Sequence, residues 1–401
     1  MLAAWNDRRG ALASLFTCYL FLAGCSGGPA LPDTVARDGA ILPDTLKQLL
    51  DQGVGEAGVP GAVAAISVPG RGQWILASGL KDLERNLPMD AGNATRIGSI
   101  TKTMTATIIL QLVDEGLLSL DDRLAKWLPD TRVEHAAEIT ILQLLNHTSG
   151  IYNFVRDDAF QSGLLTDPGH DYSPQELIDI ARKYQPYFSP GASWLYSNTN
   201  YTLLGLIIEK VTGQPLNETF SKRIFEPLGM QHSALLRTPQ MPAIAAQGYH
   251  TVNPGGVSGI LANWIPALCE RGDSTNIDPD AAWGAGDVVS TAGDLLRWSQ
   301  AVATGEMLSP GMQKKQREGP QVTLAGKIGI YGLGVALSPD AAWIGHRGEF
   351  WGYESGIVSQ SGGGIAIVVL ANGTSNCSKT SSVSIIVDKL GYYLTGKNLS
   401  L

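Results

Sequence analysis

Strand-like segments flank a long helical middle, and this order constrains the fold more than any other feature of the sequence. Near the start, two strand-like runs are joined by a Pro-Gly-Arg-Gly turn, which predicts a β-hairpin. The patterns predict helices at 43–57, 100–115, 199–213 and 382–396, and strands at 61–68, 74–82, 331–337, 342–346, 356–360 and 364–372. We therefore expect an α+β fold, in which one sheet assembled from both chain ends packs on a largely helical insertion.

The composition is that of a globular protein without a nucleic-acid partner. Of 401 residues, 44% are hydrophobic and 16% are charged, and the formal net charge is −8. No basic run interleaved with aromatic residues occurs, so we expect no binding to nucleic acid. The six histidines are scattered without H-x-H or H-E-x-x-H spacing, which disfavours a zinc hydrolase.

The N-terminal segment predicts export and lipid attachment. Two arginines precede an apolar run at 11–24, which is too short to span a bilayer comfortably. This run ends in Leu-Ala-Gly-Cys and resembles a bacterial lipobox, so we expect 1–24 to be a signal peptide and Cys25 to be acylated. Residues 25–40 then form a tether. The alternative is an ordinary secretory signal cleaved nearby.

Two cysteines, Cys269 and Cys377, remain after the signal peptide and the lipidated residue are set aside. An exported protein meets an oxidising compartment, where disulfides persist. We therefore predict that the two form a disulfide, and the alternative is two free buried thiols.

Two S-x-x-K patterns are candidates for a serine nucleophile. Ser78 and Lys81 lie in a predicted strand, where residues three apart point to opposite faces. Ser99 and Lys102 lie at the start of a predicted helix, where residues three apart share a face, so Lys102 can reach the Ser99 hydroxyl. A buried lysine beside a hydroxyl can act as a base. The alternative is that Ser99 only caps the helix and that Lys102 is solvated.

Tyr196-Ser197-Asn198 is a second candidate element, ahead of a predicted helix. A loop in this position can project Tyr196 and Asn198 to one side. A nearby cation such as Lys102 would stabilise the tyrosine phenolate. The alternative is a core tyrosine followed by a turn asparagine.

His346-Arg347-Gly348 ends a predicted strand and is the third candidate element. Gly348 would let a substrate approach the strand closely. The backbone N–H groups of Glu349 and Ser99 could then stabilise an oxyanion. Alone, a histidine in a strand is more often structural than catalytic.

Taken together, the three motifs resemble the class C β-lactamase and serine D-alanyl-D-alanine carboxypeptidase family. The resemblance runs over roughly 40–396 and includes IGSITKTMTATIILQLVDEGLLSLDD, LLNHTSGI, YSNTNYTLLGLIIEKVTG, AAWGAGDVVSTAGDLLRW, YGLGV and GHRGEFWGYES. It implies a β-lactamase/transpeptidase-like fold, an acyl-enzyme mechanism and no metal or organic cofactor. It implies a hydrolase domain at 41–396, with a sheet subdomain at about 41–93 and 328–396 and a helical subdomain at about 94–327.

The resemblance also implies roles for the site residues. Ser99 would be the nucleophile, and Lys102 and Tyr196 would share its proton. Asn198 would position Lys102 and the substrate amide. His346 would tune Tyr196 and could pass a proton to the leaving group. Asn372 and Asn376 stand where the family often has rim residues that contact substrate, and Arg347 could supply a positive charge for a substrate carboxylate.

Two departures from the family pattern bear on the substrate. Related carboxypeptidases have a basic residue soon after the G-L-G of the preceding strand, where this chain has Ala336. Glu349 stands where small hydroxylated residues are common, and its carboxylate would oppose an anionic substrate. Both departures favour an ester or amide that lacks a free carboxylate.

The leading interpretation is a D-alanyl-D-alanine carboxypeptidase-like hydrolase of cell-wall peptides. The first alternative is a carboxylesterase, or a weak β-lactamase, on the same scaffold. The second is a catalytically weak surface lipoprotein that binds penicillin or peptides. In each case we expect a small-molecule or peptide ligand, a membrane contact through the lipid alone, an extracytoplasmic location and a monomer.

Overall fold

The computed structural model describes residues 41–252, 270–324, 326–374 and 381–399. In chain order its strands are β1 (Gly61–Val68), β2 (Gly72–Asp82), β3 (Leu87–Pro88), β4 (Ala94–Arg96), β5 (Ala234–Leu235), β6 (Tyr249–Val252), β7 (Glu270–Asp273), β8 (Val288–Thr291), β9 (Gln321–Leu324), β10 (Lys327–Tyr331), β11 (Ala336–Leu337), β12 (Trp343–Phe350), β13 (Tyr353–Gln360) and β14 (Ala366–Ala371). Two small sheets, β4-β8-β5 and β6-β7, lie within the middle of the chain, where the sequence patterns indicate mainly helices.

Most helices of the described residues lie in that middle, and the first and the last flank it in the chain. They are α1 (Pro43–Ala57), α2 (Thr101–Asp114), α3 (Leu124–Trp127), α4 (Ile141–Leu145), α5 (Asp158–Thr166), α6 (Pro174–Ala181), α7 (Asn198–Thr212), α8 (Leu216–Phe220), α9 (Glu226–Leu228), α10 (Ala292–Thr304), α11 (Pro310–Gln316) and α12 (Ser382–Thr395). In the part of the chain that the structure describes, none of these helices has the length and apolar character needed to cross a bilayer.

The main sheet joins the two ends of the chain. Within the described ranges it has nine strands in the order β3-β2-β1-β14-β13-β12-β11-β10-β9, and neighbouring strands are antiparallel. β1 pairs with β14, so the N-terminal hairpin continues the sheet formed by the C-terminal strands. The predicted α+β fold, with an antiparallel sheet built from both ends and flanked by helices, is confirmed.

The sheet separates two hydrophobic cores. On β1, Ala62, Ala64 and Ile66 pack with residues of α1 and α12, whereas the alternate residues Val63 and Ala65 belong to the core shared with the helical part. Successive side chains of a strand point to opposite faces, so a largely apolar strand such as β1 can serve both cores. This explains why the run at 61–68 is apolar without alternation.

The predicted strand at 331–337 is wrong. Tyr331 ends β10, Ala336 begins β11, and a turn lies between them. In this turn Gly334 has a φ of 77°, and a Cβ there would lie 2.3 Å from the Ala106 Cβ of α2. The backbone therefore turns here because it must pass close to α2, which a strand-like pattern does not reveal.

The turn that carries Ser99 is pressed against β12. It spans Gly98–Ile100 and runs directly into α2. A Cβ on Gly348 would lie 2.0 Å from the Ile97 carbonyl oxygen, and Ser355 on β13 donates a hydrogen bond to that same oxygen at 2.7 Å. Gly348 therefore admits the chain before Ser99, and close approach of substrate to this strand stays a prediction.

Several predictions concern residues outside the described ranges. They are the signal peptide at 1–24, the lipidated Cys25, the tether at 25–40, the pairing of Cys269 with Cys377, and the rim residue Asn376. The division into a sheet subdomain and a helical subdomain at the stated boundaries also stays a prediction.

Gly98→Ala should destabilise the protein more than the same change at Gly116. Both residues have positive φ, 48° and 72°, but a Cβ at 98 would lie 2.5 Å from the Glu349 carbonyl oxygen, whereas at 116 it meets nothing within 4 Å. Both variants bear the left-handed backbone cost of about 1–2 kcal/mol, and only Gly98→Ala adds overlap with β12. Urea unfolding of the two variants measures the difference, and equal midpoints would contradict the close approach.

Candidate active site

Lys102 lies at the centre of the site, and its amine is fully buried. Its Nζ donates hydrogen bonds to Ser99 Oγ at 2.9 Å, to Asn198 Oδ1 at 2.6 Å and to the Ala285 carbonyl oxygen at 2.7 Å. Burial lowers the pKa of Lys102 well below its ordinary value, and the nearby Asp287 only partly opposes this. A neutral Lys102 amine can accept the proton of the Ser99 hydroxyl that it touches.

Local structure brings Ser99 and Lys102 together. Ser99 lies in the turn before α2 and Lys102 in its first turn, so the two side chains share one face. The helix is buried along most of its length, and Thr101, Thr103 and Thr105 beside Lys102 are also buried. Solvent therefore reaches the pair only from the Ser99 side.

Asn198 is held so that its oxygen faces Lys102. It is the first residue of α7, and its side-chain amide nitrogen donates to Asn153 Oδ1 at 3.2 Å. The Asn198 backbone N–H donates to the same Asn153 oxygen at 3.0 Å. Because the amide nitrogen has a fixed acceptor, Asn198 Oδ1 is left to accept from Lys102.

Tyr196 lies over Lys102 but does not share its hydrogen bonds. Lys102 Nζ is 5.0 Å from the centre of the Tyr196 ring. Among the described residues the buried Tyr196 hydroxyl has no hydrogen-bond partner, although Ser99 is near enough to oppose the rise of its pKa. Burial dominates and raises the pKa of Tyr196 well above its ordinary value of 10. The expected phenolate beside Lys102 is therefore not the resting state.

His346 is buried and hydrogen-bonds to Tyr331 instead of Tyr196. Its Nε2 lies 2.9 Å from the Tyr331 hydroxyl, and its Nδ1 contacts the Arg347 carbonyl oxygen. The His346 and Tyr196 rings are 6.3 Å apart. Burial, reinforced by Lys102, lowers the pKa of His346 to about 3. His346 is thus neutral, and its contact with Tyr196 is between rings only.

Two clefts open on either side of Ser99, and both are also lined by Tyr196 and Glu349. The first, of about 270 Å³, is here called the His346 cleft; its other lining residues are Leu324, Tyr331, Ala336, His346, Arg347, Gly348, Glu354 and Ser381. The second, of about 390 Å³, is called the Trp351 cleft; its other lining residues are Val155, Gln161, Asn198, Ala282, Ala285, Gly286, Phe350 and Trp351. A larger cavity of about 510 Å³ lies against β9 and β10 and contains none of the candidate catalytic side chains.

Glu349 stands where the two clefts meet. Its side chain reaches solvent at the cleft mouth, yet protein surrounds most of it, and this burial raises the pKa of Glu349. Glu354, its partner across the strands, raises it further, and Arg347 opposes this. The geometry places the Glu349 backbone opposite the Ser99 turn, and donation of its N–H to an oxyanion stays a prediction.

The two described rim candidates differ in position. Arg347 lines the His346 cleft, and its Nη1 donates to Ser384 Oγ of α12 at 2.9 Å. Asn372 is fully buried and lines neither cleft. Its side-chain nitrogen donates to the carbonyl oxygens of Leu80 at 3.1 Å and Gln247 at 2.9 Å. Asn372 therefore ties backbone segments together, which corrects its assignment to substrate binding.

Four site residues were not found from the sequence. Asn153 orients Asn198, Asp287 acts on Lys102 through its charge, and His147 and Tyr331 adjoin His346 and Tyr196. His147 and Tyr331 fall in the segments LLNHTSGI and YGLGV, which carry the family resemblance without a recognised chemistry. That resemblance was the one signal that could have drawn attention to them.

A family model described as Beta-lactamase matches residues 46–381 of the chain. The chain belongs to the β-lactamase family. Relatives of the chain in this family are named as enzymes that act on amides, esters or peptides. The chain is a β-lactamase-fold serine hydrolase.

Individual relatives differ in their named activities. The chain is 28% identical to esterase EstB of Burkholderia gladioli, over 85% of this chain and 93% of the relative. It is 26% identical to the D-alanyl-D-alanine-carboxypeptidase/endopeptidase AmpH of Escherichia coli (strain K12), over 70% of this chain and 67% of the relative. The crystal structure of a D-stereospecific amidohydrolase from Streptomyces sp. is similar to this one, with a TM-score of 0.75 and 30% sequence identity. The match covers 88% of this chain and 98% of the amidohydrolase chain. The chain spans only 64% of the longer PbpX of Bacillus subtilis (strain 168).

Lys102→Arg should lower the rate of acylation of Ser99 by about 10²-fold or more, the range for loss of a general base. Arginine keeps a positive charge near neutral pH and cannot accept the serine proton. Stopped-flow release of p-nitrophenol from p-nitrophenyl acetate measures acylation directly. Lys126→Arg, on the surface, is the matched control. Acylation by Lys102→Arg within threefold of the unmodified protein would contradict a role for Lys102 as base.

Proposed function

We propose that this protein is an exported hydrolase that cleaves esters and amides without a carboxylate beside the scissile bond, through an acyl-enzyme on Ser99. The observation that carries the proposal is the 2.9 Å contact between Lys102 Nζ and Ser99 Oγ in a buried site. The contact supplies a nucleophile with a base whose pKa is lowered. It also lies at the floor of two clefts that can receive the two sides of a substrate.

The reaction has two steps. Lys102 accepts the Ser99 proton while Ser99 Oγ bonds to the substrate carbonyl carbon, and the backbone N–H groups of Ser99 and Glu349 stabilise the oxyanion. The proton then reaches the leaving nitrogen or oxygen through the Tyr196 hydroxyl, and the bond to the leaving group breaks. A water molecule attacks the acyl-enzyme by the reverse proton path, which releases the acid and restores Ser99. Asn198 holds the Lys102 amine in line throughout.

The charges in the clefts favour neutral substrates. Among the described lining residues, Glu349 and Glu354 are acidic and Arg347 is basic. The Arg347 guanidinium already binds Ser384, and Glu349 is the acidic group that lies next to Ser99. A substrate carboxylate close to the scissile bond would be repelled by Glu349. Val155, Phe350 and Trp351 offer an apolar surface in the Trp351 cleft for one side of the substrate.

A second candidate is cleavage of D-alanyl-D-alanine ends of cell-wall peptides. Arg347 in the His346 cleft is the specific observation in its favour, because it could meet a terminal carboxylate. The name of the relative AmpH supports the same activity. In this case the positive charge of Arg347 would have to outweigh the negative charge of Glu349, which lines both clefts beside Ser99.

A matched substrate pair separates the two candidates. Acetyl-D-alanyl-D-alanine and its C-terminal amide differ by one carboxylate, so the neutral amide and p-nitrophenyl butyrate should have the higher kcat/KM. Ser99→Ala is the negative control, and a fluorescent penicillin tests β-lactam acylation alongside. Higher kcat/KM for the anionic peptide would favour the carboxypeptidase. No turnover of any substrate would leave the binding-protein interpretation.

Glu349→Gln should raise kcat/KM for acetyl-D-alanyl-D-alanine by about tenfold relative to its amide, which corresponds to about 1.4 kcal/mol. The change removes a negative charge beside Ser99 and keeps the backbone N–H. Glu134→Gln, at an exposed position, is the matched control. An unchanged ratio of the two substrates would show that Glu349 does not select against carboxylates.

We also propose that the protein is a lipoprotein held at the outer side of a membrane by Cys25. The apolar run and the Leu-Ala-Gly-Cys sequence support this. Cys25→Ser should move the protein from the membrane pellet to the soluble extract and abolish incorporation of labelled palmitate. Cys18→Ser, within the apolar run, is the control. Retention of palmitate by Cys25→Ser would contradict the proposed anchor.

A further inference from the structure

Behind the catalytic groups, a chain of hydrogen bonds links two buried histidines through one tyrosine. The Tyr331 hydroxyl lies 3.2 Å from His147 Nε2 and 2.9 Å from His346 Nε2. All three side chains are buried. Tyr331 is on β10 and His346 is on β12, whereas His147 lies in the loop after α4. The chain therefore connects the sheet to the helical part directly behind Tyr196.

The ends of this chain fix the direction of each hydrogen bond. The backbone N–H of Ser197 donates to His147 Nδ1 at 3.2 Å, so that nitrogen carries no proton and His147 Nε2–H must donate to Tyr331. At the other end, the Arg347 carbonyl can only accept, so His346 Nδ1 carries a proton. The Tyr331 hydroxyl then donates to His346 Nε2. Both imidazoles are neutral, in opposite tautomers.

The placement of the His147 ring supports a role for its imidazole. His147 has a φ of 61°, in the left-handed region that asparagine and glycine adopt at lower cost. Its ring lies 4.3 Å from the Tyr196 ring and 4.9 Å from the Tyr331 ring, centre to centre. His147 thus forms the wall against which Tyr196 rests.

We propose that His147 and Tyr331 are positioning residues that hold His346 as the neutral Nδ1–H tautomer, with Nε2 committed to Tyr331. The proposal rests on the proposed function only in taking Ser99 as the nucleophile. It gives His346 a role different from that of a proton shuttle, because its unprotonated nitrogen faces Tyr331. The proton removed from Ser99 is then shared by Lys102 and Tyr196 alone.

The surrounding charges explain why neutrality matters. Groups that face His346 from each packed element are Lys102 of α2, Tyr196 ahead of α7, His147 after α4, Tyr331 of β10, and Arg347 of its own strand. A second buried positive charge would repel a protonated Lys102 and weaken Tyr196 as a proton acceptor. Hydrogen-bond donation by Tyr331 to Nε2 favours the neutral form of His346, so its loss makes protonation easier.

The tautomers can be observed without any substrate. In ¹⁵N-histidine NMR of the full-length protein, His147 should be the Nε2–H tautomer and His346 the Nδ1–H tautomer at every pH from about 5 to 8. Single His→Asn variants at each position assign the signals. Titration of either histidine in this range, or the opposite tautomer at either, overturns the proposal.

Tyr331→Phe keeps the ring but removes both hydrogen bonds. The second-order rate of Ser99 labelling by a fluorophosphonate should fall about tenfold to a hundredfold, the range expected for misplaced catalytic groups. An acidic limb additional to any that the unmodified protein shows should appear between pH 5 and 7, and adding His346→Asn should remove this added limb. Tyr353→Phe, which also loses a buried hydrogen bond, is the control for stability. An unchanged pH profile, or a limb that persists in the double variant, overturns the proposal.

Two substitutions of His147 separate positioning from a purely structural role. His147→Gln can place an amide nitrogen near Nε2 and still donate to Tyr331, whereas His147→Asn can only accept from Ser197 N–H. Asparagine also suits the left-handed backbone better, so His147→Asn should be the more stable variant. We expect the opposite order for labelling, with His147→Gln faster. If the more stable His147→Asn variant is also labelled faster than His147→Gln, the proposal is overturned. If the fluorophosphonate does not label the unmodified protein, Ser99 is not the nucleophile and the proposed function fails. The histidine tautomers seen by NMR test the hydrogen-bond chain independently of that result.

Discussion

The burial of one amine, that of Lys102, is the condition on which the rest of the site depends. An amine removed from water loses its hydration and is tolerated only when each of its hydrogens finds an acceptor. Here the three acceptors come from the turn before α2, from the start of α7 and from the loop that leads to β8. Three distant stretches of the chain are thus held around a single nitrogen, and the nucleophile is one of its partners.

The chemistry needs the same nitrogen to be less basic than a lysine in water. Desolvation provides this, and the site adds little charge to oppose it: Asp287 is itself so buried that its pKa rises to about 7. The neighbouring histidines and tyrosines are uncharged. A polar site that is nearly free of net charge can respond strongly when a single proton moves within it.

The sequence predicts those parts of the molecule that depend on local spacing. Ser99 and Lys102 three residues apart on a helix, the helix after Asn198, and the sheet built from both chain ends are properties of short segments. The resemblance of the chain to the β-lactamase family rests on the order of the three motifs, and the matching family model confirms it.

The parts that the sequence does not reveal depend on contacts between distant segments. Gly348 admits the Ile97 carbonyl, Asn372 ties Leu80 to Gln247, and Tyr331 joins His147 to His346. Nothing in the residues next to each of these positions indicates its partner. For the same reason the sequence pattern predicts a strand where the turn after Tyr331 lies, since the need to pass α2 is a tertiary constraint.

The missing side chains at Gly98 and Gly348 have a mechanical consequence. Two backbones touch there with nothing compressible between them, so the turn that carries Ser99 rests against β12 and continues directly into the helix that carries Lys102. Any shear between β12 and α2 would therefore distort this turn, and with it the position of the Ser99 hydroxyl beside Lys102. The reactivity of Ser99 therefore depends on how tightly the main sheet and the helices pack against each other.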